Sequence, residues 1–339
     1  MADKRRVLFH RTWTKPNGGT SGGQMKVRDA FVHFQTSERF EPKVYFPPAT
    51  LWVDNPGNVW LPYRGQGILE WSIRPDDMLF FSGHDWNILS EAERQHPPAP
   101  ILNIAQPRHT DPMDKRNAFL RHPAIRIAKS SVGKEILEGY GVNGPVFLIP
   151  DSIDFSRLPA PNPAPDTDLL IVGIKNPGLA RRLEQRLKRK NRWRWRRWKI
   201  KVQTPPLLPT RQDFLRLLNS AKTVAFLPLD ESRGAEGFYL PALEGMYLGK
   251  LVICPYAVGN IDFCISEKTC IQPEYTEDAI FEAILRALSL SANERRHFIQ
   301  QAKAITGNHD IRKEKQAMLN LLYQADRLWS DETLFKYGK

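Results

Sequence analysis

The sequence predicts an α/β protein of two domains, each an open parallel sheet flanked by helices. Three observations carry that expectation. Apolar runs of strand length alternate with amphipathic segments of helix length along most of the chain, which is the pattern of strand–helix units in a parallel sheet. The stretch R-L-P-A-P-N-P-A-P-D at residues 157–166 has no periodicity and interrupts the alternation as a linker does. The 339 residues are enough for two cores of ordinary size. The expected division is a first domain at residues 1–155, a linker at 156–168, a second domain at 169–310 and a terminal helix at 311–339.

Residues 7–13, V-L-F-H-R-T-W, read as the first strand. K-P-N-G-G-T-S-G-G-Q then makes a glycine-rich loop and M-K-V-R-D-A-F-V-H-F a helix. The loop carries neither the Walker lysine nor G-x-G-x-x-G spacing, so it is no P-loop or dinucleotide fingerprint. Residues 43–46 and 77–82 are further strands, separated by a loop rich in Pro, Gly and Trp. G-H-D-W follows, in which His84 and Asp85 are either capping groups or site residues. Residues 101–106 form the next strand, with Arg108 and His109 just past its end. A histidine at a strand C-terminus sits where open α/β sheets gather ligands. Residues 124–130 are a strand followed by a helix, and V-F-L-I-P-D-S-I-D closes the first domain.

The second domain opens with L-L-I-V-G, a strand ending in Gly173 and leading through Lys175 into a basic helix. Residues 192–201 then alternate basic residues with Trp193, Trp195, Trp198 and Ile200. Period two predicts a strand with one solvated face. The competing reading is a patch that meets an anionic membrane or nucleic acid. A helix at 211–220, a strand at 223–228, helices at 276–288 and 292–305 and a long amphipathic helix at 311–328 complete the chain.

Residues 235–255, A-E-G-F-Y-L-P-A-L-E-G-M-Y-L-G-K-L-V-I-C-P, hold the densest chemistry. Pro241 suits a first helical turn, and Gly249 suits a left-handed helix end. L-V-I-C reads as a buried strand. Glu236 and Glu244 thus flank a helix start, whose N–H groups attract phosphate. Carboxylates accept hydrogen bonds from sugar hydroxyls, so the combination points to a nucleotide-sugar site.

The pattern E-G-F-x-L-P-x-L-E-x-M-x-x-G-x-x-V resembles the signature of retaining glycosyltransferases of family 4, including its two glutamates separated by seven residues. Tyr239 and Gly245 depart from it, standing where the family has glycine and alanine, and Tyr239 is expected to put a bulky ring near the phosphate-facing turn. The resemblance implies the GT-B fold, two Rossmann-like domains facing a cleft with the last helix crossing back to the first. It implies transfer of a hexosyl or related group from a nucleotide sugar to a hydroxyl acceptor, in bacterial-type glycan or glycolipid synthesis. Glu236 would contact the transferred sugar and Glu244 the ribose. Backbone N–H groups at Gly237, Phe238, Tyr239 and Leu240 would hold phosphate, with Gly173 and Lys175 beside them. Gly22 and Gly23 would line the site and His109 would face the donor sugar. Arg108 would offset phosphate charge, and H-D-W resembles the corresponding loop, making His84 and Asp85 further candidates. The donor phosphate would act as base for the incoming hydroxyl. The nucleotide sugar is a co-substrate; no cofactor and no metal are expected, since no D-x-D stands in a metal-binding context. The rival reading is a catalytically inactive GT-B-like module that binds nucleic acid or anionic membrane through its basic tryptophan segment.

Composition limits the alternatives. With 41% apolar and 25% charged residues the chain is globular rather than disordered. Cys254, Cys264 and Cys270 lack C-x-x-C spacing and are expected to be reduced and buried. No signal peptide or membrane span is expected, which suggests a cytoplasmic protein. The net charge of +12 favours anionic partners, such as phosphorylated substrates or an anionic membrane at its periphery. Nucleic acid is disfavoured, because the resemblance assigns the basic segment to an ordinary helix and strand.

Overall fold

The computed structural model describes residues 4–12, 22–52, 58–193, 195, 197–229, 236 and 238–338. These form two compact units, residues 1–151 with 312–339, and residues 152–311. The segment expected as a linker lies with the second unit. Asn219 grips it there, its Oδ1 accepting from Asn162 N and its Nδ2 donating to Ala160 O.

The first unit is a six-stranded parallel sheet built from β1 (Arg5–His10), β2 (Phe40–Tyr45), β3 (Met78–Ser82), β4 (Ile101–Ile104), β5 (Ile125–Ala128) and β6 (Val146–Leu148). Its spatial order is β2-β1-β3-β4-β5-β6. Both faces are covered, as parallel sheets require. Val7 and Phe9 pack on one side with Phe31 and Phe34 of α1 (Gly22–Gln35), whereas Leu8 joins Leu79, Phe81 and Trp86 on the other. α9 (Ile311–Ser330) lays Met318, Leu321 and Leu322 into the first of these cores. The last helix therefore belongs to the first unit, as expected for a GT-B chain. β2 starts three residues earlier than its sequence suggested, because Pro42 breaks the apolar pattern there. An edge strand tolerates a residue without an N–H, and β2 is at the edge.

The second unit is a four-stranded parallel sheet of β7 (Thr167–Val172), β8 (Ile200–Gln203), β9 (Ala221–Phe226) and β10 (Leu251–Ile253), ordered β10-β9-β7-β8. α4 (Pro177–Asn191) buries Leu179, Ala180, Leu183 and Leu187, spaced by one helical turn, against it. α5 (Arg211–Asn219), α6 (Leu240–Tyr247), α7 (Glu277–Ser289) and α8 (Ala292–Thr306) complete the layers. α6 ends as the sequence predicts. Gly249 has φ +72°, and Lys250 N and Gly249 N donate back to Gly245 O and Met246 O, which satisfies the last carbonyls.

One expected strand is corrected. Pairing with β7 starts only at Ile200, opposite Leu169, so the tryptophans precede the strand. α4 instead runs on through Lys188, Arg189 and Lys190, and the side chain of Asn191 brackets the Trp198 backbone, accepting from its N–H and donating to its carbonyl. That local bracket takes the hydrogen bonds a strand pairing would have used. Trp193 and Trp195 stand 87% and 105% exposed. Among the described residues no helix is long and apolar enough to cross a membrane.

Candidate functional site

In the second unit β7 sits between β8 and β9, so successive connections leave it in opposite directions. The loops after β7 and β9 flank this topological switch point, where open α/β sheets bind ligands. The β7 loop carries Gly173 and Lys175; the β9 loop leads to Glu236 and α6. The two loops meet in space, with Lys175 Nζ 3.9 Å from Glu236 Oε1. Residues 61 positions apart in sequence thus place a half-exposed cation beside a carboxylate near a helix N-terminus. Glu236 is held by its own Oε1, which accepts from Leu229 N at 3.1 Å.

The backbone after Glu236 is fixed from behind. Tyr239 N donates to Gly259 O at 3.0 Å. A Cβ on Gly259 would lie 2.5 Å from Phe238 N, 2.6 Å from Phe238 Cα and 2.8 Å from Glu236 O. Only glycine allows that approach. Asn260, wholly buried, locks the turn carrying Gly259: its Oδ1 accepts from Ala257 N, and its Nδ2 donates to Pro255 O and Cys254 Sγ. Phe238 is anchored inward on Phe263 and His309, at ring distances of 5.2 and 5.4 Å. The sequence signal for this support is the G-N pair that follows β10, a mark of a turn.

Of the N–H groups expected to hold phosphate, that of Tyr239 is committed to Gly259. Those of Phe238 and Leu240 have no acceptor among the described residues. Gly237 lies outside the described residues. The Tyr239 ring is 5% exposed and packs edge-on against Phe226 at 5.9 Å, and burial raises its phenol pKa well above 10.0. The ring therefore belongs to the core and not to the phosphate-facing turn. Gly245 explains how it fits. A Cβ at 245 would come within 3.2 Å of the same Phe226 ring. The two departures from the family pattern thus meet on Phe226, extra bulk at 239 and missing bulk at 245.

Glu244 sits on α6 with no exposed surface and pairs with Arg211, at the start of α5. Burial raises its pKa, with Arg211 opposing. Its Oε2 has no hydrogen-bond partner among the described residues. Local sequence marks Arg211 only as the start of a helix, since nothing in it joins positions 33 apart. Gly173 ends β7, its N–H donating to Gln203 O, and a Cβ there would meet Ala180 Cβ at 2.2 Å. Its role in the structure is close packing of α4 on the sheet.

The first-unit candidates divide. His109 lies in a 3-10 helix, Pro107–Thr110, at the end of β4, and is 5% exposed. Its Nδ1 accepts from Gln106 N at 3.3 Å, which puts the proton on Nε2. That Nε2 is buried without a partner among the described residues. Burial, then Arg116 and Arg108, push its pKa down to about 3, so the ring is a neutral donor near pH 7. Arg108 is half-buried beside it. Asp85 is buried and structural: its Oδ2 accepts from Arg11 Nη1 at 2.6 Å and Ser82 N at 2.8 Å, closing the 3-10 helix Gly83–Ile88. His84 is exposed on that helix. Gly22 and Gly23 form the exposed first turn of α1, with open space around Gly23. The loop before them lies outside the described residues. Among the described residues no group of three or more His, Cys, Asp or Glu could hold a metal ion.

No protein-family model matches the chain. No curated protein matches it in sequence either. Solved structures do match over nearly the whole length. Sucrose-phosphate synthase from Thermosynechococcus elongatus superposes with TM-score 0.67 at 13% identity, covering 96% of this chain and 100% of that one. HepE from Anabaena, in complex with UDP-glucose, gives 0.68 at 13% identity, covering 94% and 99%. A glycosyltransferase from Rickettsia africae gives 0.65 at 12% identity, covering 97% and 100%. At such identity the likeness speaks for architecture. The chain has the GT-B fold, two Rossmann-like domains on parallel sheets.

Proposed function

We propose that the protein is a retaining glycosyltransferase that moves a sugar from a nucleotide-sugar donor to a hydroxyl acceptor. The observation that carries the reading is the meeting of Lys175 with Glu236 at the switch point of the second unit, beside the start of α6. HepE, which shares the fold, binds UDP-glucose and UDP. A nucleoside diphosphate would take the same position here. Lys175 and the N–H groups of Phe238 and Leu240 offset diphosphate charge, and the α6 dipole adds to them. Glu236 accepts from hydroxyls of the transferred sugar. Glu244, which the resemblance assigns to the ribose, has one carboxylate oxygen without a partner among the described residues and would reach a hydroxyl only once uncovered. In the first unit, His109 is held neutral with its Nε2 without a partner among the described residues, the state of a hydrogen-bond donor.

In the reaction the anomeric C–O bond to diphosphate breaks while the acceptor oxygen bonds to the same face of that carbon. The acceptor proton passes to the departing phosphate oxygen, so no protein base is needed. Lys175 and the helix N-terminus stabilise the charge that grows on the diphosphate, the kind of fixed electrostatic assistance that dominates many enzymes. The reading includes no metal and no cofactor. The test is incubation with a panel of nucleotide sugars and hydroxyl acceptors, following nucleoside diphosphate release and the product anomer by NMR. The reading predicts retained configuration, undiminished by EDTA, and release lowered at least 100-fold in Glu236→Gln. Inverted product, or release unchanged in that variant, refutes it.

A further inference from the structure

From the end of α4 to β8, residues 186–201 carry ten basic residues and no acidic one. Part of the charge is neutralised within the unit: Arg186 pairs with Glu277 and Asp278, Lys188 with Glu184, and Lys201 approaches Asp166. Arg189, Lys190, Arg192 and Arg197 have no ion pair among the described residues. Beside them Trp193 and Trp195 are 87% and 105% exposed. Trp is the largest apolar side chain and is usually well buried in a soluble domain, so two on one turn call for a partner. The sheet does not need them, because α4 already fills its side with Leu179, Leu183 and Leu187.

We propose that this turn is a membrane-docking tip that inserts Trp193 and Trp195 into the interface of an anionic lipid bilayer. Indole rings favour the headgroup level, where an apolar body and a polar N–H are both accommodated. Arg189, Lys190, Arg192 and Arg197 supply the complementary charge, each strengthening attraction to an anionic surface roughly fivefold. The shape of the patch selects lipid over single-stranded nucleic acid. A strand of bases needs a basic groove with aromatic platforms along it, whereas these rings project from the turn after a helix. The inference stands on this surface alone and is independent of the glycosyl-transfer reading.

The experiment is sedimentation of the full chain with phosphatidylcholine vesicles, with and without phosphatidylglycerol, at two salt concentrations. The wild type is expected to partition onto the phosphatidylglycerol vesicles and to be released by salt. Trp193→Ser/Trp195→Ser should lower the partition coefficient at least tenfold, and Arg189→Glu/Lys190→Glu by a similar factor, with thermal midpoints unchanged because all four side chains lie outside the core. No binding by the wild type overturns the proposal. So does equal binding by the tryptophan variant, or tryptophan-dependent binding of a single-stranded oligonucleotide without vesicle binding.

Discussion

Replacing Gly259 by alanine tests the site from behind, at a residue that would not itself contact a ligand. The new Cβ would lie 2.5 Å from Phe238 N and 2.8 Å from Glu236 O. These are backbone atoms, so no side chain can swing away, and the loop must retreat by roughly 1 Å to restore ordinary contact. The shift carries Glu236 and the N–H groups of Phe238 and Leu240 with it. Misplacement on that scale costs about 100-fold in rate where geometry is set to fractions of an ångström, while overpacking lowers stability by about 1–3 kcal/mol. The assay is nucleoside diphosphate release from whichever nucleotide sugar the wild type accepts, alongside calorimetric binding of UDP and a thermal melt. A Gly259→Ala protein that stays folded at the assay temperature but loses about two decades of rate supports the placement. One that is destabilised yet binds and turns over like the wild type refutes it, since the loop would then have moved without consequence.

Other perturbations follow from the same geometry. Lys175→Ala should weaken UDP binding by roughly 10- to 100-fold, the range for a hydrogen bond to a charged group, with no change in melting temperature, since its side chain is half exposed. Gly245→Ala should cost about 1–2 kcal/mol by pressing on Phe226; a Tyr239→Ala background should relieve part of that cost, and strict additivity in chemical denaturation would show the two positions uncoupled. Arg211→Met leaves Glu244 buried without its partner, at about 2–4 kcal/mol near neutral pH. Because burial raises the Glu244 pKa, protonation removes the penalty, so the deficit should shrink as pH falls toward the ordinary carboxylate range; a pH-independent deficit would contradict the pairing. The His109 pKa lies at about 3 against an ordinary 6.5, so its contribution to stability is present above 6.5 and is lost as pH falls toward 3. His109→Gln should flatten the acid limb of a pH–stability curve in that window.

Much of this was legible in the chain, and the reasons are local. β7, β9 and β10 announced themselves as short apolar runs because both faces of a parallel sheet are buried. The start and end of α6 were written in Pro241 and Gly249, whose backbone requirements belong to single residues. What the sequence could not show is pairing at a distance. Arg211 with Glu244, Gly259 with Phe238, and Phe226 between Tyr239 and Gly245 each join residues whose association exists only after the sheet has assembled. The tryptophan segment misled for another reason. Period two measures alternation, not partnership, and the side chain of Asn191 satisfies the Trp198 backbone before any neighbouring strand can. For Asp85 the sequence left capping and a site role open, and the structure takes the first, with its carboxylate used up by Arg11 and Ser82 N.

The central claim is that the loops after β7 and β9 form a nucleotide-sugar site, with Lys175 and Glu236 as its charged pair. Isothermal titration with UDP, GDP, ADP and their glucose conjugates tests it most directly, on the wild type, Lys175→Ala and Glu236→Gln. The account predicts that at least one nucleotide binds the wild type, that Lys175→Ala weakens nucleotide and conjugate alike, and that Glu236→Gln weakens only the conjugate. Binding of a nucleotide that neither substitution alters, or no binding by any of the six compounds, would contradict it.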